Sequence, residues 1–411
     1  MRILWLGTKR PWPLADGGRL LSFDTIRLLS RRHRITLVVP ETGAAGDRAG
    51  REASEALAPF CDLHLVSVPE RSRLVSLAAT VARVRPFTID RHRHPAVDAH
   101  VERLLREREI DLVHAEQLHA LPPPSSPCWK RPVVLREQNV ECDLWYGASR
   151  YGDAPFAWGI GREARRLERW EAAAVQRSTL TVTLTAEDRL RLLQVSGVPE
   201  EKVVAVPVPF TPVAQAGNEP LPGHPAVVLI GSAGWRPNSD GTRWFVKSVW
   251  PEVARLIPGA VLHLFGDGGL AVATGALRLH EAPKDIRTAL ATGTVCVVPL
   301  RFASGIRMRV LDAWSRGIPV VATPVAAAGL EAEDGTHILL AHDAAGFAEA
   351  FRRLADDPGL ARGLAENARA LLRRCHAPEE AVSRLEAAYS LVVGRRSPKL
   401  PALSVNGGRP A

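Results

Sequence analysis

The sequence predicts an α/β protein made of two Rossmann-like, doubly wound domains that face each other across a cleft. Three observations predict this. Short apolar runs that suit buried parallel strands alternate with helical patterns along the chain. Glycine and polar residues follow many of these runs, as they do where open α/β sheets bind ligands. Between the two series, residues 199–225 are rich in proline and have few periodic apolar positions.

The length and these patterns divide the chain into four parts. A chain of 411 residues is long enough for two or three domains, and its hydrophobic content of 46% supports globular cores. We expect a first domain over residues 1–208, a linker over 209–225, a second domain over 226–393 and a tail over 394–411. The tail is predicted to be disordered because it is polar and contains glycine, proline and serine.

The net charge indicates which kinds of molecule the protein could bind, and the cysteines indicate in which cellular compartment it lies. A formal net charge of +9 favours acidic partners such as nucleotides, nucleic acid or anionic lipid. We expect no nucleic-acid partner, because no zinc-finger, RNP or helix-turn-helix signature is present. The five cysteines are scattered and lack C-x-x-C spacing, which argues against a disulfide framework or structural zinc. We therefore expect a cytoplasmic protein, with peripheral membrane contact as an open alternative.

The first domain is predicted to begin with a strand over 3–6, a loop and a helix over 20–29. The loop contains Asp16, Gly17 and Gly18, and a glycine pair between a strand and a helix lets the backbone approach a ligand closely. An ordinary connecting loop would look the same. The further strands of this domain are predicted at 35–39, 63–68, 110–113, 133–135 and 180–184.

A basic segment over 71–94 interleaves arginines with apolar residues. The pattern is typical of an amphipathic helix that lies on a membrane or guides an anionic acceptor. A solvated basic face is the alternative, and the residues alone favour it.

Polar residues follow two predicted strands of the first domain. Because the carboxyl ends of parallel strands meet at one edge of a sheet, these residues are candidate site residues. The histidine among them could instead be a hydrogen-bonded residue of the core. The residues concerned are His114, Glu137, Gln138, Asn139 and Glu141.

The second domain restarts the same alternation. A strand over 226–230 is followed by a glycine-rich loop that contains Arg236, and a strand over 261–265 is followed by Gly266. Short strands are predicted at 277–279 and 337–340. Helices are predicted at 284–291, 344–355, 358–374 and 378–393.

The segment over 296–323 forms a strand, a small turn, a helix and a second strand, and the rest of the domain is arranged around it. The turn contains Ser304 and Gly305, and the helix is predicted over 306–316. A helix N-terminus offers unpaired N–H groups and a partial positive charge to an anion. Arg307 and Arg309 lie in the first turn, where the helix dipole disfavours cations, so we expect them to face a phosphate. Asp312 could reach a sugar hydroxyl beyond it.

With these segments the chain resembles the GT-B glycosyltransferases, specifically the large retaining class known as family four. Three blocks carry the resemblance by their order and spacing, and the first domain matches more loosely through its glycine loop and strand ends. The resemblance covers nearly the whole chain except the tail. The blocks are G-S-A-G-W-R-P-N-S-D-G (231–241), L-F-G-D-G-G (264–269) and V-V-P-L-R-F-A-S-G-I-R-M-R-V-L-D-A-W-S-R-G-I-P-V-V-A-T (297–323).

The resemblance implies a hexosyltransferase-like enzyme that moves a sugar from a nucleotide-diphosphate donor to an acceptor hydroxyl. The first domain would bind the acceptor and the second the donor. It implies catalytic roles for Arg236 and Asp312, and His114 would be the remaining histidine able to support chemistry. The acceptor side would hold Glu137, Gln138, Asn139 and Glu141. The donor-binding residues would be Gly17, Gly18, Arg236, Gly266, Ser304, Gly305, Ile306, Arg307, Arg309 and Asp312.

Two residues depart from the family pattern. Ser304 stands where the family has the first of two acidic residues, and Asp312 is a shortened counterpart of the second, which usually holds the donor ribose. Gln138 stands where similar enzymes often carry a histidine, and a glutamine can neither act as a base nor carry positive charge.

The family mechanism implies retention of anomeric configuration, with the departing diphosphate accepting the acceptor's proton. No Asp-x-Asp motif is present, which fits a metal-independent site with arginine neutralising the charge, and no cofactor beyond the nucleotide sugar is implied. The sequence leaves open UDP-, GDP- and dTDP-linked donors, and sugar, natural-product and lipid-linked acceptors. A nucleotide-sugar epimerase or hydrolase and a catalytically impaired nucleotide-binding partner protein are the alternative functions.

Overall fold

The computed structural model describes residues 1–42, 47–69, 85–151, 154–211, 220–231, 235–266, 276–283, 285, 289–291 and 293–394. For residues 154–157 it describes the backbone only. Several sequence expectations lie wholly or partly outside these residues. They are residues 71–84 of the basic segment, the centre of the linker, half of the helix predicted over 284–291, the loops at 232–234 and 267–269, and the tail after residue 394.

A parallel sheet of seven strands forms the first domain, in the order β3-β2-β1-β4-β5-β6-β7. Its strands β4 and β5 are buried along their whole length, as their apolar runs predict. The order reverses direction at β1, so helices cover both faces of the sheet and a crevice opens between β1 and β4. The strands are β1 (Arg2–Leu6), β2 (Arg34–Glu41), β3 (Asp62–Ser67), β4 (Leu112–Glu116), β5 (Val133–Glu137), β6 (Leu180–Thr183) and β7 (Val203–Ala205).

A second parallel sheet of six strands forms the other domain, in the order β10-β9-β8-β11-β12-β13. Its central strands β8 and β11 are also fully buried. The two sheets confirm the predicted pair of Rossmann-like domains. The strands are β8 (Ala226–Ile230), β9 (Val261–Phe265), β10 (Leu277–His280), β11 (Thr294–Val298), β12 (Val320–Ala322) and β13 (Leu339–Leu340).

Helices pack on both faces of each sheet. Those of the first half are α1 (Gly17–Leu29), α2 (Arg48–Leu57), α3 (Phe87–Arg91), α4 (Pro95–Glu107), α5 (Glu141–Tyr151), α6 (Ala154–Arg177) and α7 (Ala186–Ser196). Those of the second half are α8 (Arg236–Trp244), which continues through a π turn at Phe245–Val249, α9 (Trp250–Leu256), α10 (Met308–Ser315), α11 (Pro324–Ala327), α12 (Ala344–Asp356), α13 (Pro358–Cys375) and α14 (Pro378–Val393). In the part of the chain that the structure describes, no helix has both the length and the apolar content to cross a membrane.

The last helix differs from its predicted place. Helix α14 was expected to belong to the second domain, but it packs on the first: its Leu385 and Tyr389 are buried in one cluster with Ile3 and Ile26. The Tyr389 hydroxyl lies 2.7 Å from Nδ1 of His114 in β4. The reason is that the apolar stripe of this helix completes the helical layer beside α1, which sequence periodicity alone cannot assign to a partner. The chain therefore crosses between the domains twice.

Candidate active site

A cleft of about 620 Å³ lies between the carboxyl ends of the two sheets. This volume is in the range of small-molecule sites, and the position is where open α/β sheets bind ligands. The first domain lines it with Lys9, Ala15, Asp16, Gly17, Gly18, Leu21, Gln117, Gln138, Asn139 and Leu184. The second domain lines it with Ile230, Gly231, Trp235, Asn238, Gly266, Ala282, Pro283, Val298, Leu300, Ile306, Arg307, Met308 and Arg309.

The N-termini of two helices meet in this cleft. Helix α1 begins at Gly17 and helix α10 begins at Met308. A Cβ atom on Gly17 would lie 2.9 Å from the Cβ of Met308, so this close approach requires a glycine. Each helix N-terminus carries unpaired N–H groups and a partial positive charge. Their convergence favours an anionic ligand at this point.

Arg307 places a buried positive charge beside these helix ends, and among the described residues the only carboxylate whose charge acts on it is that of Asp188, to which it has no hydrogen bond. The residue is only 5% exposed, and burial lowers its pKa to about 10. One guanidinium nitrogen donates to the carbonyl oxygen of Ser304, the guanidinium lies 5.5 Å from the centre of the Trp235 ring, and Nη1 has no hydrogen-bond partner in the described structure. A buried cation with an unused donor is costly unless something pairs with it. Arg307 is therefore prepared to bind an anion.

Arg309 adds a second cation to the same end of helix α10. It also lines the cleft, and burial lowers its pKa. Its guanidinium donates to the carbonyl oxygen of Ile230, at the end of β8. Both arginines donate to carbonyl oxygens and neither donates to a carboxylate among the described residues, so both guanidinium groups can still pair with an anionic ligand.

Asp188 of the first domain binds the turn of the second domain that precedes Arg307. The Asp188 carboxylate accepts a hydrogen bond from the Ser304 hydroxyl at 2.7 Å and one from the Gly305 N–H at 3.0 Å. The Ser304 oxygen in turn accepts from the N–H of Val140 at 2.6 Å. Gly305 has a φ of 74°, and a Cβ atom on it would overlap the carbonyl oxygen of Gln138. These contacts fix the position of Arg307 relative to both domains.

The comparisons with known proteins agree with this geometry. Residues 224–357 match the family model described as Glycosyl transferases group 1. These residues are a group 1 glycosyltransferase domain. The match includes helix α10 with Arg307 and Arg309, and it confirms the predicted family resemblance and enzyme class. No curated protein matches the chain.

Solved structures similar to this chain extend the likeness to both domains. HepE of Anabaena in complex with UDP-glucose is 14% identical with a TM-score of 0.64, covering 95% of this chain and 100% of that one. Sucrose-phosphate synthase of Thermosynechococcus elongatus is 15% identical with a TM-score of 0.70, covering 95% and 98%. WaaG, a glycosyltransferase involved in lipopolysaccharide biosynthesis, is 15% identical with a TM-score of 0.59, covering 96% and 100%. These likenesses confirm the predicted GT-B fold.

Most of the predicted donor-binding residues of the glycosyltransferase come together. Gly17, Gly18, Gly266, Ile306, Arg307 and Arg309 line the cleft, and so do Gln138 and Asn139 from the predicted acceptor side. Ser304 and Gly305 do not line it, because they are buried in the contact between the domains. Their contribution to the site is to hold Arg307.

Two predicted residues of the second domain lie away from the cleft wall. Arg236 is exposed and stacks over Trp145 of the first domain at 5.2 Å. Asp312 is 1% exposed, and its carboxylate lies 3.2 Å from the guanidinium of Arg316 one helical turn later. The diphosphate and ribose roles of these residues stay predictions, and Arg307 has the geometry that was expected of Arg236.

His114 is a correction to the predicted catalytic set. Strand β4 extends to Glu116, so His114 lies inside the strand rather than after it, and it is fully buried. Its ring stacks on Trp5 at 3.7 Å and lies 3.1 Å from the carboxylate of Glu116. Burial lowers its pKa to about 4, so the ring is neutral near pH 7. The histidine belongs to the core, the alternative that the sequence left open.

Gln138 lines the cleft and is hydrogen-bonded to Glu116, the buried carboxylate beside His114. Its side-chain amide donates to Glu116 at 2.7 Å and its carbonyl oxygen accepts from Gln117 at 2.8 Å. Glu116 is itself paired with Arg136 at 2.6 Å. A Cβ atom on Gly18 would lie 2.7 Å from the Gln138 carbonyl oxygen, so the glycine loop packs directly on it. The amide is therefore held in one orientation at the cleft wall.

Glu137 and Glu141 do not line the cleft. Together with Glu171 they form a group of neighbouring acids, of which Glu137 and Glu171 are buried and Glu141 is half-buried. Glu171 is fully buried and accepts from the N–H groups of Glu141 and Cys142 at 2.7 and 3.2 Å. Burial raises the pKa of Glu171 to about 7 and that of Glu141 to about 8. Burial, followed by the charges of the other two acids, raises the pKa of Glu137 well above its usual range.

These raised pKa values predict that stability falls as the pH rises. The folded protein keeps protons that the unfolded chain, with glutamate pKa values near 4.3, has already released, so the free energy of unfolding decreases between about pH 4.5 and 8. Glu137→Gln imitates the protonated acid. We expect its gain in stability over the wild type to be smaller at pH 5 than at pH 8.

Urea unfolding at pH 5 and pH 8 measures this difference. The matched control is Glu187→Gln, which changes an exposed glutamate of helix α7 and should leave the pH dependence unchanged. Equal stability losses for Glu137→Gln at both pH values would show that the acid is ionised in the folded protein.

The structure also assigns residues that the sequence did not. Lys9 and Gln117 line the cleft, and Lys9 pairs with Asp16 at 2.8 Å in front of helix α1. Lys9 lies shortly before the glycine loop in the sequence, and this position near a helix N-terminus could have identified it as a candidate site residue. Asp188 shows only as a helix-capping acid in the sequence, and its contact with the second domain has no sequence signal. Among the described residues, no group of three His, Cys, Asp or Glu is arranged to hold a metal ion.

Proposed function

We propose that this glycosyltransferase moves a sugar from a nucleotide-diphosphate donor to an acceptor hydroxyl, with retention and without a metal. The single observation that carries the proposal is Arg307, a buried guanidinium with an unused donor at a helix N-terminus in the interdomain cleft. A diphosphate would supply the acceptor oxygens and the negative charge that this residue lacks. The complexes of similar structures with UDP and UDP-glucose support a donor of this class.

The reaction needs stabilisation of the leaving diphosphate. The bond between the anomeric carbon and the phosphate oxygen breaks, and its electron pair goes to that oxygen. Arg307, Arg309 and the first N–H groups of helix α10 would stabilise this charge, and one such donor contributes about 3 kcal/mol or more in other enzymes. These groups can replace the charge that a divalent cation would supply.

The anomeric configuration of the sugar is retained if the acceptor attacks the anomeric carbon from the same face of the sugar ring from which the diphosphate departs. The acceptor oxygen then bonds to the anomeric carbon while its proton moves to a departing phosphate oxygen, so no protein base is needed. This suits a cleft in which the residue at the expected histidine position is Gln138, which cannot take up a proton. Gln138 and Gln117 would orient the acceptor hydroxyl from the first domain.

A nucleotide panel followed by product analysis tests the proposal. One of UDP, GDP or dTDP should raise the melting temperature, since a ligand at a hundred times its Kd adds about 2.7 kcal/mol of stability. The increase should survive EDTA. Turnover of the matching nucleotide sugar should require an acceptor and give a product of the donor's anomeric configuration. No stabilisation by any nucleotide diphosphate would contradict the proposal.

Two other outcomes separate the alternatives. Sugar release without an acceptor would indicate a hydrolase, and sugar isomerisation an epimerase. Tight nucleotide binding without turnover on sugar, natural-product and lipid-linked acceptors would indicate a binding protein. We further propose a cytoplasmic location with peripheral membrane contact, for which the sequence pattern over 71–94 is the first support.

A further inference from the structure

Helix α6 carries a row of four exposed residues on one face. Trp158, Arg162, Arg165 and Arg169 follow the spacing i, i+4, i+7 and i+11, which places them in one line along a helix. Trp158 is 75% exposed, which is unusual for so large an apolar side chain. At about 1.5 Å per residue the row is roughly 16 Å long. We call these four residues the Trp–Arg row.

The charges of helix α6 are separated between its two faces. Its acidic residues point inward: Glu163 and Glu171 are buried, and Glu168 pairs with Arg191 at 2.9 Å. The arginines of the row point outward and form no ion pair with any described residue; Arg169 only donates to the Arg165 carbonyl oxygen at 3.3 Å, and Arg162 lies 6.0 Å from the ring of Trp158. An ordinary solvated helix would mix both signs on its exposed face, so this face suits an anionic partner.

The row continues the basic segment that the sequence singled out. Helix α3, within that segment, packs on α6, because the N–H of Phe87 donates to Glu163 and Arg166 donates to the carbonyl oxygen of Arg85 at 2.8 Å. Arg85 and Arg91 are exposed next to this contact. The described part of the basic segment and the Trp–Arg row therefore belong to one face of the first domain.

We propose that this face docks on the surface of an anionic lipid membrane. A straight row of arginines with an exposed indole at its end matches a flat surface, where arginines contact lipid phosphates and tryptophan settles at the headgroup level. A soluble polyanion without apolar groups would engage the arginines but would leave no reason for the indole, and the sequence has no nucleic-acid-binding signature. The inference builds on the proposed function, because it selects lipid-linked compounds among the possible acceptors.

Vesicle co-sedimentation with the full chain at 0.15 M salt tests the docking. The wild type should bind phosphatidylcholine vesicles containing phosphatidylglycerol and should not bind vesicles of phosphatidylcholine alone. The triple substitution Arg162→Glu, Arg165→Glu, Arg169→Glu should weaken binding at least tenfold, and Trp158→Ala should weaken it several-fold.

The matched control is Arg362→Glu, Arg373→Glu, Arg374→Glu on helix α13 of the second domain, which replaces the same number of exposed arginines. It should keep most of the binding. The proposal is overturned if the wild type does not bind the anionic vesicles, if both triple variants lose binding equally, or if Trp158→Ala binds like the wild type, which would point to a soluble polyanion instead. Because no donor is present in this assay, stabilisation of the row variant by a nucleotide diphosphate reports separately on the proposed function.

Discussion

Replacing Arg307 with methionine is expected to weaken nucleotide-diphosphate binding by about 10- to 100-fold, while the free protein becomes no less stable. A hydrogen bond to a charged group contributes about 1.5–3 kcal/mol, and Arg307 offers such a bond to the diphosphate. Methionine fills most of the same space without the charge. Because burial acts on this cation more strongly than the opposing charge of Asp188, removing the charge relieves a cost of folding. Calorimetric titration and thermal melting measure the two effects.

Arg236→Met is the matched control for this prediction. It removes an exposed guanidinium that lies over Trp145 outside the cleft wall, so we expect its effect on affinity to be only a few-fold. If Arg236→Met lost more affinity than Arg307→Met, the diphosphate site would lie at Arg236, the other arginine that the sequence predicted for it. Unchanged affinity in Arg307→Met would remove Arg307 from the site.

Replacing Gly305 with alanine is expected to destabilise the protein by about 2–5 kcal/mol and to abolish most of its activity. The backbone at Gly305 has a φ of 74°, which costs a residue with a Cβ atom about 1–2 kcal/mol. The new methyl group would also overlap the Gln138 carbonyl oxygen of the first domain. The turn would have to leave Asp188, and Arg307 would move with it.

Gly293→Ala separates these two causes. Gly293 has a φ of 80°, but a Cβ atom on it would meet nothing within 4 Å, so this variant has the backbone cost alone. Urea unfolding, activity and the radius of gyration should show a small loss for Gly293→Ala and a large loss, with separation of the domains, for Gly305→Ala. Equal losses in the two variants would mean that the turn does not hold the domains together.

The fold could be predicted from the sequence because its two signals, the periodicity of apolar residues and the glycines and prolines between the periodic segments, are local. The apolar runs predicted the described strands of both sheets except β7, which lies in the proline-rich stretch over 199–225, and the glycines and arginines around helix α10 predicted the centre of the site. The sequence predicted Gly17 and Arg307 to be donor-binding residues, and both line the cleft.

The remaining differences come from contacts between distant segments. Strand β4 ends three residues later than predicted, at Glu116 instead of residue 113, which makes His114 a core residue and not a candidate base. Helix α14 could not be assigned to the first domain, since its apolar stripe fits either sheet. The contact of Asp188 with Ser304 joins residues 116 positions apart, and a single sequence contains no signal for it.

A structure of the protein bound to a nucleotide diphosphate tests the central claim most directly. The account predicts that the phosphates lie between the first turn of helix α10 and Gly17, with an oxygen within hydrogen-bond distance of Nη1 of Arg307. A diphosphate bound elsewhere, or an Arg307 guanidinium that stays turned away from the bound ligand, would contradict it.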